Sequence, residues 1–237
     1  MAESILNFQE KYTENDTIKS YEYNEYQPTS GSNLNIPGNI TIHIENQDEF
    51  FHPRRSYLLV EGNLLKADGN IYDENAAAAL ANNGVMHLFS NVKYELAGQE
   101  IESVNNPGIA GVLMGISKFP YDYANGAGMI QCWSPQTTDA VLGERGFARR
   151  KEYIISKSVP RGSFSFAIEL ENLFGFCEDY DKVVYGMRHK LTLVRKNDDD
   201  AIIQRVVHPG AGKVVLSKVA WVMPRVHPSD VKKITQQ

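Results

Sequence analysis

Gly210-Ala211-Gly212-Lys213 is where this chain comes nearest to a phosphate-binding loop. That chemistry needs a glycine five residues before the Gly-Lys pair's glycine, a Ser or Thr after the lysine, and a helix N-terminus facing the phosphate. Val207 and Val214 occupy the two test positions, and a β-branched run follows where a helix should begin. The nucleotide reading fails. Glu178, Asp179 and Asp181, like Asp198–Asp200, offer the ligand type for calcium. Neither group has a glycine-punctuated loop to wrap the ion, so both read as solvated turns. The histidines (His43, His52, His87, His189, His208 and His227) are scattered, with no pair at zinc spacing and no Cys-x-x-Cys partner. His43 and His189 sit within strand patterns. There is no Gly-x-Ser-x-Gly elbow, and neither Cys132 nor Cys177 has a catalytic context. Asn15-Asp16-Thr17 and Asn39-Ile40-Thr41 are glycosylation acceptors by letter alone. These residues nominate no catalytic group, no metal ligand and no cofactor, and the expectation is that the chain is not an enzyme.

The elements are easier to read than any site. Between Asn83 and Val104 the sequence predicts a strand, a tight turn at Ala97-Gly98 and a second strand. Val92, Tyr94 and Leu96 alternate there with Asn91, Lys93 and Glu95, the period-two signature of a half-buried strand. Asn39–Glu45 alternates likewise, with Ile40, Ile42 and Ile44 on one face. A corner at Phe50–Pro53 leads into Tyr57–Val60, bounded by Gly62. Gly162–Leu170 points Phe164, Phe166, Ile168 and Leu170 inward. His189–Val194 and Ala201–Val207 flank Asn197–Asp200, whose short polar side chains suit a hairpin turn. Lys213–Met223 is the longest β-branched run and holds Trp221 as a core residue. With a stretch around Tyr153–Ile155, this gives roughly eight to ten strands in one domain, which argues an all-β antiparallel sandwich or jelly roll.

Two helical insertions interrupt the strands. Asn106-Pro107 reads as a cap and first helical position, with Ile109, Val112, Leu113, Ile116 and Phe119 at helical spacing behind it. Asp73–Ala81, rich in alanine, is the second. Pro120–Arg150 reads as one long loop, and loops of that length usually serve a function, here contact with a neighbouring subunit. Tyr121, Tyr123 and Trp133 within it would suit a glycan platform, so a carbohydrate-binding module is the alternative. Residues 1–37 show no apolar period and read as an extended arm, whose Tyr21, Tyr23 and Tyr26 could dock on a partner. Residues 38–224 form the barrel domain and 225–237 a tail or linker.

Length and composition agree. The chain's 237 residues suffice for one large all-β domain that buries its own core. A net charge of −5 gives the whole chain no attraction for nucleic acid, so no direct nucleic-acid binding is expected. Two cysteines fit thiols in a reducing compartment better than a disulfide framework, although one bridge between them stays open. No apolar run nears the ~18 residues of a membrane span, and the first residues carry no secretory pattern.

A resemblance emerges from an ordered series: Tyr23–Pro28, Ile42–Asp48, Tyr57–Gly69, Asn82–Ser103, Phe174–Tyr180 and Leu191–Ala201. It is similar to the major capsid proteins of Polinton-like and adintovirus-like elements, relatives of virophage and adenovirus capsid proteins that also occur integrated in animal genomes. The similarity runs from about residue 20 to Pro228, with no single diagnostic motif. It implies a double jelly roll: two eight-stranded sandwiches side by side, three subunits to a pseudo-hexagonal capsomer. Over this length it implies one barrel, the N-terminal half, ahead of an absent second one. Three such barrels cannot fill six positions, so six copies or a second chain would be needed. The implied partners are further copies in trimeric or hexameric capsomers and other capsid proteins. The implied place is the virion capsid, after synthesis in the host cytoplasm or nucleus. A host protein derived from an integrated capsid gene is a further alternative. A lone barrel should also expose a partly apolar flank.

Overall fold

The computed structural model describes residues 18–30, 33–135, 145–204 and 212–229. In chain order its strands are β1 (Ile18–Tyr26), β2 (Gly38–Ile44), β3 (Phe50–Phe51), β4 (Tyr57–Leu65), β5 (Ala78–Leu80) and β6 (Phe89–Leu96). They continue with β7 (Gln99–Asn105), β8 (Ser163–Glu169), β9 (Val184–Tyr185), β10 (His189–Arg195), β11 (Ile202–Gln204) and β12 (Lys213–Pro228). Four α-helical segments interrupt them: α1 (Pro107–Lys118), α2 (Ala127–Ile130), α3 (Arg145–Lys151) and α4 (Gly175–Asp179).

The eight long strands make two facing sheets, ordered β1-β12-β4-β8 and β2-β10-β6-β7. Every ladder is antiparallel. The pairs β6–β7, β4–β8, β2–β10 and β1–β12 are successive rungs of one long hairpin turned at Ala97-Gly98. The contacts β10–β6 and β12–β4 roll that hairpin up. This is the jelly roll that the strand count implied. The turn works because both its residues have positive φ, 51° at Ala97 and 84° at Gly98, which matches the twist of the flanking strands. β3 and β9 extend the first sheet beside β12, and β5–β11 form a small separate pair.

Alternation fills the space between the sheets. Ile40, Ile42 and Ile44 from β2, Leu58, Val60 and Leu64 from β4, and Val92 and Tyr94 from β6 are buried in one cluster. Phe164, Phe166 and Ile168, Leu191 and Leu193, and Val219, Trp221 and Met223 join it from the other strands. Burying a large aliphatic or aromatic side chain contributes about 1.5–3 kcal/mol, and this cluster is where the fold's driving force lies.

Several expectations are corrected. Ile18–Tyr26, read as part of an arm, is β1, paired along β12 from Pro228 to Trp221. It shows no clean apolar alternation because most of its side chains are exposed or only half-buried. β4 does not stop before Gly62 but runs to Leu65, with Gly62 inside it. A Cβ there would lie 2.6 Å from the Val215 carbonyl oxygen, where β12 carries an irregularity between Leu216 and Lys218. Asp73–Ala81 is not a helix: Ala78, Ala79 and Leu80 are wholly buried in β5 against β11. Pairing of small buried residues there overrides alanine's helix propensity. Asn197–Asp200 joins strands of different sheets and is no hairpin turn. Tyr153–Ile155 lies in a π-helical turn over Glu152–Ser156, and the stretch read as a loop from Pro120 to Arg150 contains a 3-10 turn, α2 and most of α3. Helical segments thus exceed the one or two expected. The Ala201–Val207 strand is described only as far as Gln204, and Val207, His208, Gly210 and Ala211 lie outside the described residues.

Candidate functional site

The two outer sheet faces differ in chemistry. On the β2-β10-β6-β7 sheet the outward side chains are polar and paired. Lys93 Nζ meets Glu100 at 3.1 Å, Lys190 Nζ meets Glu95 at 3.0 Å, and Asn91 donates to Ser103 and Asn105. Cross-strand partners share a face, so the register of the other sheet defines its outer surface. Tyr21, Tyr23 and Glu25 of β1 sit opposite Val226, Pro224 and Val222 of β12. Val222 and Ala220 in turn face Tyr57 and Leu59 of β4, which face Glu169 and Ala167 of β8. The apolar β12 members of that row are buried, Ala220, Val222, Pro224 and Val226 alike, while Tyr21, Tyr23 and Glu25 are exposed. Tyr21 packs near His52 and under the Arg55 guanidinium, and Tyr23 near Tyr57, while both stay partly exposed. Where β1 ends, the Asn35 side chain takes over the ladder, accepting from the Leu216 N–H at 2.6 Å and donating to its carbonyl at 3.0 Å.

Helix α1 sits on the barrel by its glycines. A Cβ on Gly108 would lie 2.4 Å from the His87 ring, one on Gly111 2.4 Å from Asn83 Nδ2, and one on Gly115 2.3 Å from the Trp133 ring. Glycine at these three places, an i, i+3, i+7 stripe, lets the helix backbone approach that closely. The side chains predicted to bury the helix face the other way: Ile109, Leu113 and Ile116 are 56%, 65% and 67% exposed. Asn106 is no side-chain cap either. It holds a left-handed conformation (φ 47°) with no cap hydrogen bond from its side chain.

A polar web ties the helical insertion to β8. The Gln131 side-chain amide donates to Tyr123 Oη at 2.7 Å and to Glu169 at 2.9 Å, and Asn172 donates to the same Glu169 oxygen. Burial, reinforced by Glu169, pushes the Tyr123 hydroxyl up to about 12. Glu102 on β7 accepts from the N–H groups of Gly175 and Phe176, holding the start of α4. These bonds are mutually satisfied and leave no group poised over a cavity.

The residues weighed for chemistry are dispersed. Glu178 pairs with Lys118, Asp181 with His52, Asp198 with Arg195 and Asp200 with Lys196. Among the described residues, no three His, Cys, Asp or Glu side chains converge as a metal site requires. Cys132 and Cys177 are free, buried thiols, shifted upward by burial, Cys177 to about 12; neither is a ready thiolate. His189 is buried in the core, its Nδ1 2.8 Å from Tyr94 Oη, and desolvation lowers it to about 4. Of the glycan trio, Tyr121 is 82% exposed, Tyr123 stacks on Phe119, and Trp133 is buried beneath α1. Tyr121 and Trp133 share the lining of one cleft with Phe119, and Tyr123 is outside that lining. A cleft of about 320 Å³ lined by Met129, Trp133, Tyr153 and Phe166 is mainly apolar. What sequence reading missed is the outward stripe of α1; the glycine spacing was its signal. Among the described residues no helix is long and apolar enough to cross a membrane.

This architecture defines a single jelly-roll barrel. Residues 145–237 match the double jelly roll-like domain family. No curated protein matches the chain. Among solved structures, a chain of the Sputnik virophage structure superposes with a TM-score of 0.60 at 12% identity, over 94% of this chain and 51% of that one. The PBCV-1 virus capsid chain gives 0.53 at 11% identity, over 97% and 46%. The Faustovirus major capsid protein gives 0.53 at 9% identity, over 95% and 57%. The fold is that of the double jelly-roll major capsid proteins, as the ordered sequence series implied. The chain spans about half the length of the solved structures it matches.

Proposed function

We propose that this protein is a capsid-type structural protein whose barrel packs beside other barrels in a shell. The observation that carries the reading is the β1-β12-β4-β8 and β2-β10-β6-β7 order of the eight long strands, in a fold superposable on viral capsid chains over nearly the whole chain. A rigid roll with dispersed, individually paired carboxylates is suited to bearing load, and no convergent titratable group argues for catalysis. The finer reading is one barrel of a two-barrel capsid unit from a Polinton-like or adintovirus-like element. It assembles with itself and with other capsid proteins into pseudo-hexagonal capsomers and resides in the virion. The acidic net charge supports a shell that leaves genome binding to other components.

Negative-stain electron microscopy of the concentrated chain, alone and co-expressed with a second capsid barrel, tests this. Six-lobed particles or hexagonal arrays are expected. Featureless single barrels under both conditions would overturn it.

A further inference from the structure

We propose that the cleft beside α3 binds a small amphipathic anion, an apolar body carrying one acid group. The site belongs to the single barrel and does not depend on the shell reading. Two hollows of about 320 and 370 Å³ share four lining residues, Asn125, Trp133, Ser134 and Arg149, and so meet at the Trp133 ring. Ligand pockets are commonly ~300–1,000 Å³, mostly apolar with a few placed polar groups, and each hollow is of that size. Trp133 is held from the α1 side by Gly115 and by the Phe119 ring, edge-on at 5.1 Å. Met129, Phe166 and Tyr153 complete the first hollow, with the Tyr153 ring packed on Phe166 at 5.4 Å. Trp133 and Phe166 are 5% and 2% exposed, so the core fixes these walls before any ligand arrives. A preformed cleft binds without the cost of ordering its own side chains.

Charge decides what enters. Gly146, Phe147 and Arg150 are the buried residues of α3, while Arg145 and Arg149, at i and i+4, are neighbours on its surface and both line the second hollow. Arg150 donates within the fold, to the carbonyls of Leu80 and Ser134. Among the described residues the ion-paired arginines are Arg54, Arg161, Arg188, Arg195 and Arg225, which leaves Arg145 and Arg149 without a carboxylate. The one acid among the described lining residues is Glu152, and Lys157 holds it at 2.7 Å. Cations therefore surround an apolar hollow on a chain whose net charge is −5. A cationic ligand would be repelled there, and a neutral one would leave both guanidiniums unmet. An acid group gains charge-assisted, two-pronged hydrogen bonds from Arg149. Because Arg149 borders both hollows, the acid can sit on it while the apolar body lies against Trp133. Ile109 and Leu113 of α1 lie outside both linings.

Calorimetric titration of the 237-residue chain with octanoate, octanol and octyltrimethylammonium at low salt tests this. Octanoate is expected to fill a single saturable site. Octanol, the same tail without the acid, and the cation should each bind at least about tenfold more weakly. Arg149→Gln should weaken octanoate about tenfold, bringing it level with octanol, at an unchanged melting temperature. Met129→Glu, which sets a carboxylate in the first hollow, should weaken octanoate as well. Arg188→Gln, at an arginine outside both linings, and Ile109→Gln/Leu113→Gln, on the exposed side of α1, should bind octanoate as wild type does. Uptake that never saturates, equal binding of the three ligands, or wild-type affinity in Arg149→Gln overturns the proposal. Loss of octanoate binding in Ile109→Gln/Leu113→Gln overturns it too, since the tail would then lie on α1. None of these outcomes bears on whether the barrels assemble, which the electron microscopy reads separately.

Discussion

His189 carries the clearest single-residue consequence. It lies in β10 between Tyr94, Trp221 and Phe51, with the Tyr94 hydroxyl at its Nδ1. Burial lowers it from 6.5 to about 4. Between those values the unfolded chain binds a proton that the folded barrel refuses, so the stability this residue confers is complete above about pH 6.5 and is lost as pH falls towards 4. The sign is that of acid destabilisation, and the gap corresponds to roughly 3 kcal/mol at the acid end. His52 and His87 are also lowered by desolvation and act in the same direction. Urea unfolding at pH 7.5 and 4.5 should therefore show a large acid loss, and His189→Phe should remove most of this residue's share. Equal losses in both proteins would mean that the ring is already charged in the fold. The sequence placed His189 in a strand but gave no sign of this, because burial depends on which side chains meet it from the opposite sheet.

Helix α1 shows how far a sequence pattern reaches and where it stops. Its start at Pro107 and its length follow from Pro107 at the first position and from the 3.6-residue period, and both are observed. Which side is buried does not follow, because a hydrophobic stripe declares affinity for another surface without saying which one. The glycines decide the matter through distance, and the side chains they approach, Asn83, His87 and Trp133, include one far along the chain from the other two. The same limit explains β5, where alanines that favour a helix in isolation were claimed by a strand more than 120 residues later. By contrast the β6–β7 hairpin was legible from Phe89 onward, since its turn, its alternation and its partner are all local, whereas the stretch from Asn83 read as strand holds a 3-10 turn at Met86–Leu88. A sharp sign test applies to Gly115→Ala. In an unconstrained helix the change would stabilise by about 1 kcal/mol. Here the methyl would meet the Trp133 ring at 2.3 Å, and overpacking costs typically 1–3 kcal/mol. The variant should melt lower than wild type; a higher melting temperature would show that α1 does not seat on Trp133.

At the scale of the whole molecule, the rolled hairpin makes its two outermost strands the seam of the barrel. β12 runs for 16 residues, bonded to β4 along one stretch and to β1 along another. The β1–β12 rungs join segments about 200 residues apart, so they close late in folding, after the local β6–β7 turn, and long-range closure of this kind is slow. β1 looks dispensable from its exposed side chains, and the sequence reading accordingly set it outside the barrel. Its backbone is not. Removing residues 1–26 would strip the partner groups from β12 between Trp221 and Pro228 and leave an unpaired edge flanked by Val222 and Val226. Such an edge templates pairing with another chain. The deletion is expected to lower the melting temperature and to convert orderly association into concentration-dependent, open-ended aggregation followed by light scattering. If the truncated chain stayed single and melted as wild type does, β1 would be an ornament on a seven-stranded barrel, and the seam would have to lie elsewhere.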